Sequence, residues 1–395
     1  LIPFLKIFSI MLPFWVFATY FLSVMRAFEK IKEVSIIESA IQNVSKVTFL
    51  VFLIFLGLNS EAIIFSFFIG ILLLFLFSYF YCRRNISQIF SGEKINSKYK
   101  KSVSKEFISY SWPILFLSII SSIFYWIDSL TIGYFKSVTE VGFYNAVIPI
   151  ALLFNIAPEI FLQLFFPMVT REYALKKIEL IRETSKQIGK WVIMINLPAL
   201  ILIFFFSEFI INILFGIEYA VAANSLRILS ASAIFSSLFI ISNNLMSMAG
   251  KSKIIFYDIM IVSIINIILN IVLIPMPVVF GINNSLGING AAIATTISVI
   301  IFNLLFLIQA KHYINIVPIK KGMLNVIVAT LVSAIILFIL TTIFSDNAII
   351  TIFLILTFLL IYVIFLFLFK AFDKEDLMIF QTFKRKIMNN ERTKK

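Results

Sequence analysis

Long runs of apolar residues recur along this sequence, and they constrain its fold more than any other feature. A helix needs about 20 predominantly apolar residues to cross about 30 Å of hydrocarbon. Eleven such runs lie at 5–25, 35–57, 61–82, 108–133, 141–169, 191–214, 223–247, 253–275, 286–310, 322–344 and 348–370. They lack the alternation of a membrane barrel, and helices satisfy their own backbone hydrogen bonds in lipid. The sequence therefore predicts an all-α, polytopic membrane protein with eleven transmembrane helices.

The 33 Lys and Arg residues indicate how these helices are oriented. With alternate connections taken together, 29 of them fall on one side, in segments 26–34, 83–107, 170–190, 248–253, 311–321 and 370–395. Cytoplasmic connections carry an excess of Lys and Arg. We therefore expect the protein in the cytoplasmic (plasma) membrane, with its C-terminus in the cytoplasm and segment 171–190 as a surface helix or solvated connector there. The net charge of +13 reflects this topology and does not indicate a nucleic-acid partner.

The rarer residue types exclude several functions. One cysteine, Cys82, and one histidine, His312, are too few for a disulfide or a Cys/His metal site. The chain has no phosphate-binding glycine loop, no nucleophile elbow and no large extramembrane region to hold an active site. We predict that the protein is not an enzyme and that it needs neither a metal nor a cofactor.

Residues 25–82 are similar to residues 246–310, which suggests an internal repeat. "MRAFEKIKE" aligns with "MSMAGKSKI", and "LGLNSEA" at 56–62 aligns with "LGINGAA" at 286–292. Both copies enter the membrane from the same side, so the repeat is parallel, although chance similarity between apolar helices is the alternative. Three predicted helices, within 108–214, lie between the two copies and directly precede the second, whereas none precedes the first. We therefore expect an N-terminally truncated part of a fourteen-helix, two-lobed transporter.

The repeat also suggests domain boundaries. We predict the remaining three helices of an N-terminal lobe and a basic linker at 1–107, and a six-helix C-terminal lobe at 108–321. A two-helix pair at 322–371 and a basic cytoplasmic tail at 372–395 would follow.

Polar residues inside the predicted spans are the informative ones, because ionisable groups at membrane depth are costly and usually face a cavity or a partner. On helix 35–57 they share one face, with Lys46 at its midpoint. This face lines either an aqueous lumen or a helix contact, for example between Glu38 and Lys46. We take Lys46, Gln42 and Asn43 as candidates for substrate binding and Glu38 as a candidate for binding a coupling ion.

The later spans add further candidates. Asp128 and Glu159 are acidic and are candidates for ion coupling; Glu159 lies on a helix that Pro149 and Pro158 should kink. The remaining candidates for substrate binding are Arg227, Tyr125, Asn155, Gln163, Asn266 and Asn270. Arg227 lies near the end of its span, where it could instead extend to the membrane interface.

Several longer segments resemble a known family. They are "SYSWPILFLSIISSIFYWIDSLTIGYFKSVTEVGFYNAVIPI" at 109–150, "LFGIEYAVAANSLRIL" at 214–229, "NNLMSMAGKSK" at 243–253, "LNIVLIP" at 269–275 and "LGINGAAIATTIS" at 286–298. They are similar to the polysaccharide-transport branch of the multidrug/oligosaccharidyl-lipid/polysaccharide exporter superfamily, which contains the O-antigen and repeat-unit flippases. The resemblance implies a transporter that moves a polyprenyl-pyrophosphate-linked oligosaccharide to the outer leaflet by alternating access, for synthesis of a cell-surface polysaccharide or glycoconjugate.

The resemblance also frames the alternatives. Lys46 would meet the pyrophosphate of a lipid-linked oligosaccharide, while Asp128, Glu159 and Glu38 would bind a proton or a sodium ion; exchange driven by the lipid gradient is equally open. Membrane lipid and glycan polymerase or glycosyltransferase partners are further expected contacts. A multidrug antiporter for organic cations and a non-transporting scaffold of a glycan assembly complex are the rival functions. Family members tend to place cationic lumen residues partly in first helices that this chain lacks.

Overall fold

The chain is a multi-pass membrane protein built of α-helices. The computed structural model describes residues 2–58, 60–90, 97–162, 169, 172, 175, 178–275, 278–279, 282–283, 286–344, 347–373 and 376. Within these ranges, ten helices are long and apolar enough to cross a membrane, and each overlaps a predicted span. The remaining predicted span, 108–133, lies inside an unbroken helix of 39 residues, Ser97–Phe135. The predicted all-α class is confirmed.

Contacts divide the chain into two units, residues 1–108 and 109–395, which are described separately. The first contains α1 (Ile2–Ala27), α2 (Ile31–Ser35), a π-helical segment (Ile36–Ile41), α3 (Gln42–Phe55), α4 (Ser60–Asn85), a 3-10 turn (Ser87–Ile89) and the start of α5 (Ser97–Phe135). Helix α4 packs against both α1 and α3. Its buried side chains Leu74 and Cys82 share a core with Leu22 and Met25 of α1.

The second unit holds the remaining helices. They are the rest of α5, α6 (Val138–Leu152), a 3-10 turn (Leu153–Asn155), helical residues 156–162, α7 (Ile178–Phe215), a 3-10 turn (Ile217–Ala222), α8 (Ala223–Met248), α9 (Ser252–Leu273), α10 (Gly287–Ile314), α11 (Met323–Ile343) and α12 (Ala348–Leu368). Two short antiparallel strands, Val278–Val279 and Ile282–Asn283, lie between α9 and α10. Helix α10 packs against α8 and α9. At Gly290 a Cβ atom would come within 2.6 Å of the Leu273 carbonyl oxygen, so glycine permits the contact with α9.

The two copies of the predicted repeat share the same helix ending. In the first copy, Lys30 N donates to Met25 O and Glu29 N donates to Arg26 O, both at 3.0 Å. In the second copy, Lys251 N donates to Met246 O and Gly250 N donates to Ser247 O, both at 3.1 Å. This paired pattern closes a helix around a left-handed residue. That residue is Glu29, with φ 59°, in the first copy and Gly250, with φ 71°, in the second. The two aligned turns therefore have the same backbone geometry, which also ends the helices at Gly57 and Lys370.

The predicted proline kink also has a structural counterpart. Helix α6 gives way to a 3-10 turn between Pro149 and Pro158. The Nδ2 atom of Asn196, on α7, donates a hydrogen bond of 2.8 Å to the carbonyl of Phe154 in this turn. A side chain from another helix therefore satisfies a backbone group where the regular helix is interrupted.

A buried ionic network joins the end of α12 to α7. Lys190 is fully buried on α7, and its Nζ atom lies 2.6 Å from Asp376 and 2.9 Å from Asp373. Lys320, just before α11, lies 3.0 Å from Asp373. Trp191 also donates to Asp376, at 2.6 Å. The expectation of a solvated connector at 171–190 is therefore wrong for its last turn, because residues 187–190 are all buried; a helix with one buried face fits this turn.

Candidate functional site

The second unit holds a buried carboxylate, Asp128 of α5, with only 6% of its surface exposed. It accepts hydrogen bonds from the Tyr144 hydroxyl of α6 at 2.6 Å and from the Asn270 amide of α9 at 2.7 Å. The Thr295 hydroxyl of α10 also donates to it. Four helices thus place their polar side chains around one carboxylate.

Two amides of α9 complete this cluster. Asn266 and Asn270 are fully buried and, being four residues apart, lie on one helix face. The Nδ2 atom of Asn266 donates to Thr295 at 3.3 Å, and that of Asn270 donates to Asn266 Oδ1 at 3.1 Å. The Oδ1 atom of Asn270 is buried without a hydrogen-bond partner. The cluster therefore has acceptor capacity to spare.

The electrostatics of the cluster are unbalanced. Each of the three side chains that donate to Asp128 is neutral, and no Lys or Arg in the described part of the chain forms an ion pair with it. A buried charge without a counter-ion is costly at membrane depth. Binding of a proton or a small cation would remove that cost, so the cluster can serve as an exchangeable cation site.

A cavity of about 180 Å³ lies beside Asp128. Tyr125, Asn155, Ser232 and Ser236 contribute polar groups to its walls. The Oδ1 atom of Asn155 is buried and has no partner, so it offers a further acceptor. Pockets for drug-sized ligands are typically about 300–1,000 Å³. The cavity is therefore smaller than a usual drug pocket, and its walls are part polar and part apolar, the latter including Phe124, Ile148 and Leu229.

In the first unit, Lys46 packs closely onto α4. Its ammonium lies 4.7 Å from the centre of the Phe67 ring. A Cβ atom at Gly70 would come within 2.6 Å of Lys46 Cγ, so the lysine stem crosses α4 where that helix has no side chain. Among the residues that the structure describes, no carboxylate forms an ion pair with Lys46. Lys46 and Gln42 are half-buried, and Asn43 is exposed.

The other predicted residues have separate surroundings. Glu38, in the π-helical segment, forms an ion pair with Arg26 and not the suggested contact with Lys46. Arg227 donates to the Phe204 carbonyl at 3.0 Å and to Asn224 at 2.7 Å, and it lies 3.6 Å from Glu208. It therefore joins the start of α8 to α7. Glu159 is exposed. Gln163 lies outside the described residues.

Sequence reasoning missed two members of the cluster around Asp128, namely Tyr144 and Thr295. Both lie within apolar runs, where a single hydroxyl is as often a packing residue as a functional one. Thr295 lies in the quoted segment "LGINGAAIATTIS", but nothing in its spacing indicates a partner 167 residues away. The contact between α5 and α10 becomes visible only in the folded chain.

The chain is similar to known membrane proteins in both sequence and fold. Residues 2–173 match the family model for polysaccharide biosynthesis proteins, and residues 113–272 match the MatE model. The solved structure of the lipid II flippase MurJ in an inward closed conformation has the same fold. Its TM-score is 0.71 at 19% identity, over 92% of this chain and 73% of that one.

Two archaeal proteins are similar in sequence. The probable low-salt glycan biosynthesis flippase Agl15 of Haloferax volcanii is 25% identical over 303 residues, which cover 75% of this chain and 59% of that protein. An uncharacterized membrane protein of Methanocaldococcus jannaschii is 27% identical over 207 residues, which cover 52% of this chain and 39% of that protein. The chain thus spans less than two thirds of either relative. Together these matches confirm the resemblance to the polysaccharide-transport branch of the multidrug/oligosaccharidyl-lipid/polysaccharide exporter superfamily.

Proposed function

We propose that the chain functions as a flippase that moves a polyprenyl-pyrophosphate-linked oligosaccharide from the cytoplasmic to the outer leaflet of the plasma membrane. The product would serve synthesis of a cell-surface polysaccharide or glycoconjugate. The match to polysaccharide biosynthesis proteins and the similarity to Agl15, a probable glycan biosynthesis flippase, support this class of substrate. The basic connections and tail support a cytoplasmic C-terminus.

The observation that carries the proposal is the environment of Lys46. A lysine at the middle of a span is costly unless it meets water, a partner or a ligand. This one is half-buried, lies next to the polar side chains of Gln42 and Asn43, and forms no described ion pair. Its ammonium lies over the Phe67 ring, so a pyrophosphate would compete with this aromatic contact and not with a carboxylate, while neutral amides and hydroxyls exchange hydrogen bonds with sugars. Such interactions bind weakly enough to release the cargo.

The test is Lys46→Gln in cells that depend on the protein for their surface glycan. The measurement is the amount of lipid-linked oligosaccharide that reaches the outer leaflet, normalised to protein abundance in the membrane. We expect loss of transport for Lys46→Gln and retention for Lys46→Arg. Lys136→Gln, in a predicted outer connection, is the matched control. Normal transport by Lys46→Gln would assign Lys46 to helix packing and remove the main support for a pyrophosphate site.

We assign ion coupling to Asp128. A proton or sodium ion would neutralise the carboxylate, and the unpartnered Oδ1 atom of Asn270 would supply a further oxygen ligand. Vesicles that contain the protein should transport substrate in response to an ion gradient, and Asp128→Asn should abolish that response. Asp258→Asn is the control, because Asp258 is equally buried, at 6% exposed, and lies outside the cluster. Equal effects of the two variants would overturn the assignment of ion coupling to Asp128 in particular.

Two rival functions make different predictions. A multidrug antiporter would bind an organic cation at Asp128, but the adjacent cavity of about 180 Å³ is below the usual size for such ligands. A scaffold that only assembles glycan polymerases or glycosyltransferases would keep its function in Lys46→Gln. Resistance to cationic drugs conferred by the wild type would favour the first rival, and normal glycan output from Lys46→Gln would favour the second. Glu38, Glu159, Tyr125, Asn155, Gln163, Asn266 and Arg227 remain proposed contributors.

A further inference from the structure

The first unit has an open groove at the basic end of α4, away from Lys46. It lies between α2 with its π-helical continuation and the last turns of α4, and it has a volume of about 550 Å³. We call it the α2–α4 groove; residues that line it include Glu33, Ile36, Phe77, Phe80, Tyr81 and Arg84. The polar members are at one end and the apolar members form the wall.

The polar end of the groove carries one cation and one anion that are not paired with each other. Arg84 is exposed, and no ion pair joins it to a carboxylate among the described residues. Glu33 is half-buried in the same groove, and no Lys or Arg among the described residues forms an ion pair with it, so its carboxylate is available to a cationic group. The groove is therefore nearly neutral overall but has two separated charges. A zwitterionic ligand complements it better than a simple anion does.

The apolar wall fits the hydrocarbon part of a lipid. Ile36 is 46% exposed, Phe77 is 47% exposed and Phe80 is 59% exposed, so all three present apolar surface at the edge of the span. Arg83 and Arg84 end α4, and Lys30 and Lys32 flank the start of α2. Of these four basic residues only Arg84 lines the groove, so the groove itself contains one cation and one anion, Glu33.

We propose that the α2–α4 groove binds an aminophospholipid of the phosphatidylethanolamine type. Its phosphate would contact the Arg84 guanidinium, its ammonium would contact the Glu33 carboxylate, and its first acyl carbons would lie on Phe77 and Phe80. Phosphatidylcholine fits less well, because its methylated nitrogen has no N–H to donate. Phosphatidylglycerol fits Arg84 but gives Glu33 no cation. This proposal does not depend on the transport activity.

The test is native mass spectrometry of the purified full chain, titrated separately with phosphatidylethanolamine, phosphatidylcholine and phosphatidylglycerol. We expect the wild type to prefer phosphatidylethanolamine. Arg84→Gln should weaken both phosphatidylethanolamine and phosphatidylglycerol roughly tenfold, because it removes a charge-assisted contact. Glu33→Gln should remove the preference for phosphatidylethanolamine over phosphatidylglycerol, because glutamine keeps the size of the side chain but not its negative charge.

Two neighbouring charges provide matched controls. Arg83 precedes Arg84 but donates to Tyr79, at 3.3 Å, and does not line the groove. Glu29 carries the same charge as Glu33 and also lies outside the groove. Arg83→Gln and Glu29→Gln should leave binding unchanged. An equal loss in Arg83→Gln and Arg84→Gln would overturn the proposal in favour of a diffuse charge effect. Stronger binding of polyprenyl phosphate than of phosphatidylethanolamine would also overturn it.

Discussion

The network around Lys190 gives a stability prediction that can be worked from its geometry. Lys190 has no exposed surface and contacts both Asp373 and Asp376, of which Asp376 is only 8% exposed. Lys190→Met keeps most of the apolar stem and removes the charge, so Asp376 loses its cation while it stays buried. Breaking a buried ion pair from one side typically costs about 3–5 kcal/mol. We expect a cost near 3 kcal/mol, because Trp191 and Gln187 still donate to Asp376.

The assay is thermal unfolding of the purified protein in detergent. With an unfolding entropy of about 2.1 cal/mol/K per residue, 3 kcal/mol corresponds to a fall in Tm of roughly 4 °C for a chain of this length. Lys186→Met is the control, because Lys186 lies one helical turn earlier and forms a more exposed pair with Glu183 at 2.7 Å. Loss of a surface pair costs about 0–1 kcal/mol, so the control should change Tm little.

A double variant decides whether the uncompensated charge causes the loss. Asp376→Asn added to Lys190→Met removes the unpaired carboxylate, so the double variant should be more stable than Lys190→Met alone. A purely steric role for Lys190 predicts the opposite, namely that the two losses add. Additive losses would therefore refute the electrostatic reasoning.

Three smaller predictions concern other parts of the chain. Glu29 is left-handed, so Glu29→Gly should stabilise the protein by about 1 kcal/mol, while Gly250→Ala should destabilise it by a similar amount; both are measured as Tm shifts. Gly70→Ala places a methyl group against the Lys46 stem, so outer-leaflet delivery should fall partway towards that of Lys46→Gln at unchanged abundance. Burial disfavours the charged form of Asp373, but hydrogen bonds from two lysines outweigh it and hold its pKa below the usual value. The ionised Asp373 therefore stabilises the folded protein fully above about pH 4, and this contribution is lost as the pH falls through the folded-state pKa. Asp373→Asn should therefore flatten the decline of Tm in acid.

The sequence was sufficient for the architecture because membrane spans depend on local composition. Continuous apolar runs located the helices, and the short alignment at the basic turn located equivalent backbone geometry around Glu29 and Gly250. The sequence also singled out Asp128, Asn266 and Asn270 as polar residues within predicted spans, because polar groups are costly at membrane depth. That these side chains meet, and that Tyr144 and Thr295 join them, depends on how four helices pack. No pattern within one helix encodes that arrangement.

The misassigned residue, Lys190, shows where such reasoning fails. In a segment rich in Lys and Glu, a buried lysine looks the same as its solvated neighbours, because helical periodicity does not reveal what covers a face. Its partners Asp373 and Asp376 lie beyond the last span, more than 180 residues away. Only the return of the chain at the end of α12 brings the opposite charges together.

Lys190 and Asp128 are both buried in the second unit, but Lys190 has a structural role and Asp128 has a proposed role in ion exchange. The charge of Lys190 is balanced by carboxylates of the same chain, so no mobile ion is needed and the pairing can persist. Asp128 is held by three neutral donors, which orient the carboxylate but leave its charge uncompensated. In the proposed coupling role a mobile cation or proton supplies the compensation, and its affinity would change when α5, α9 and α10 shift against one another. A permanent Lys or Arg partner would make the affinity for a mobile ion insensitive to helix movement. The proposed coupling role therefore requires that no such side chain pairs with Asp128, and none does among the described residues.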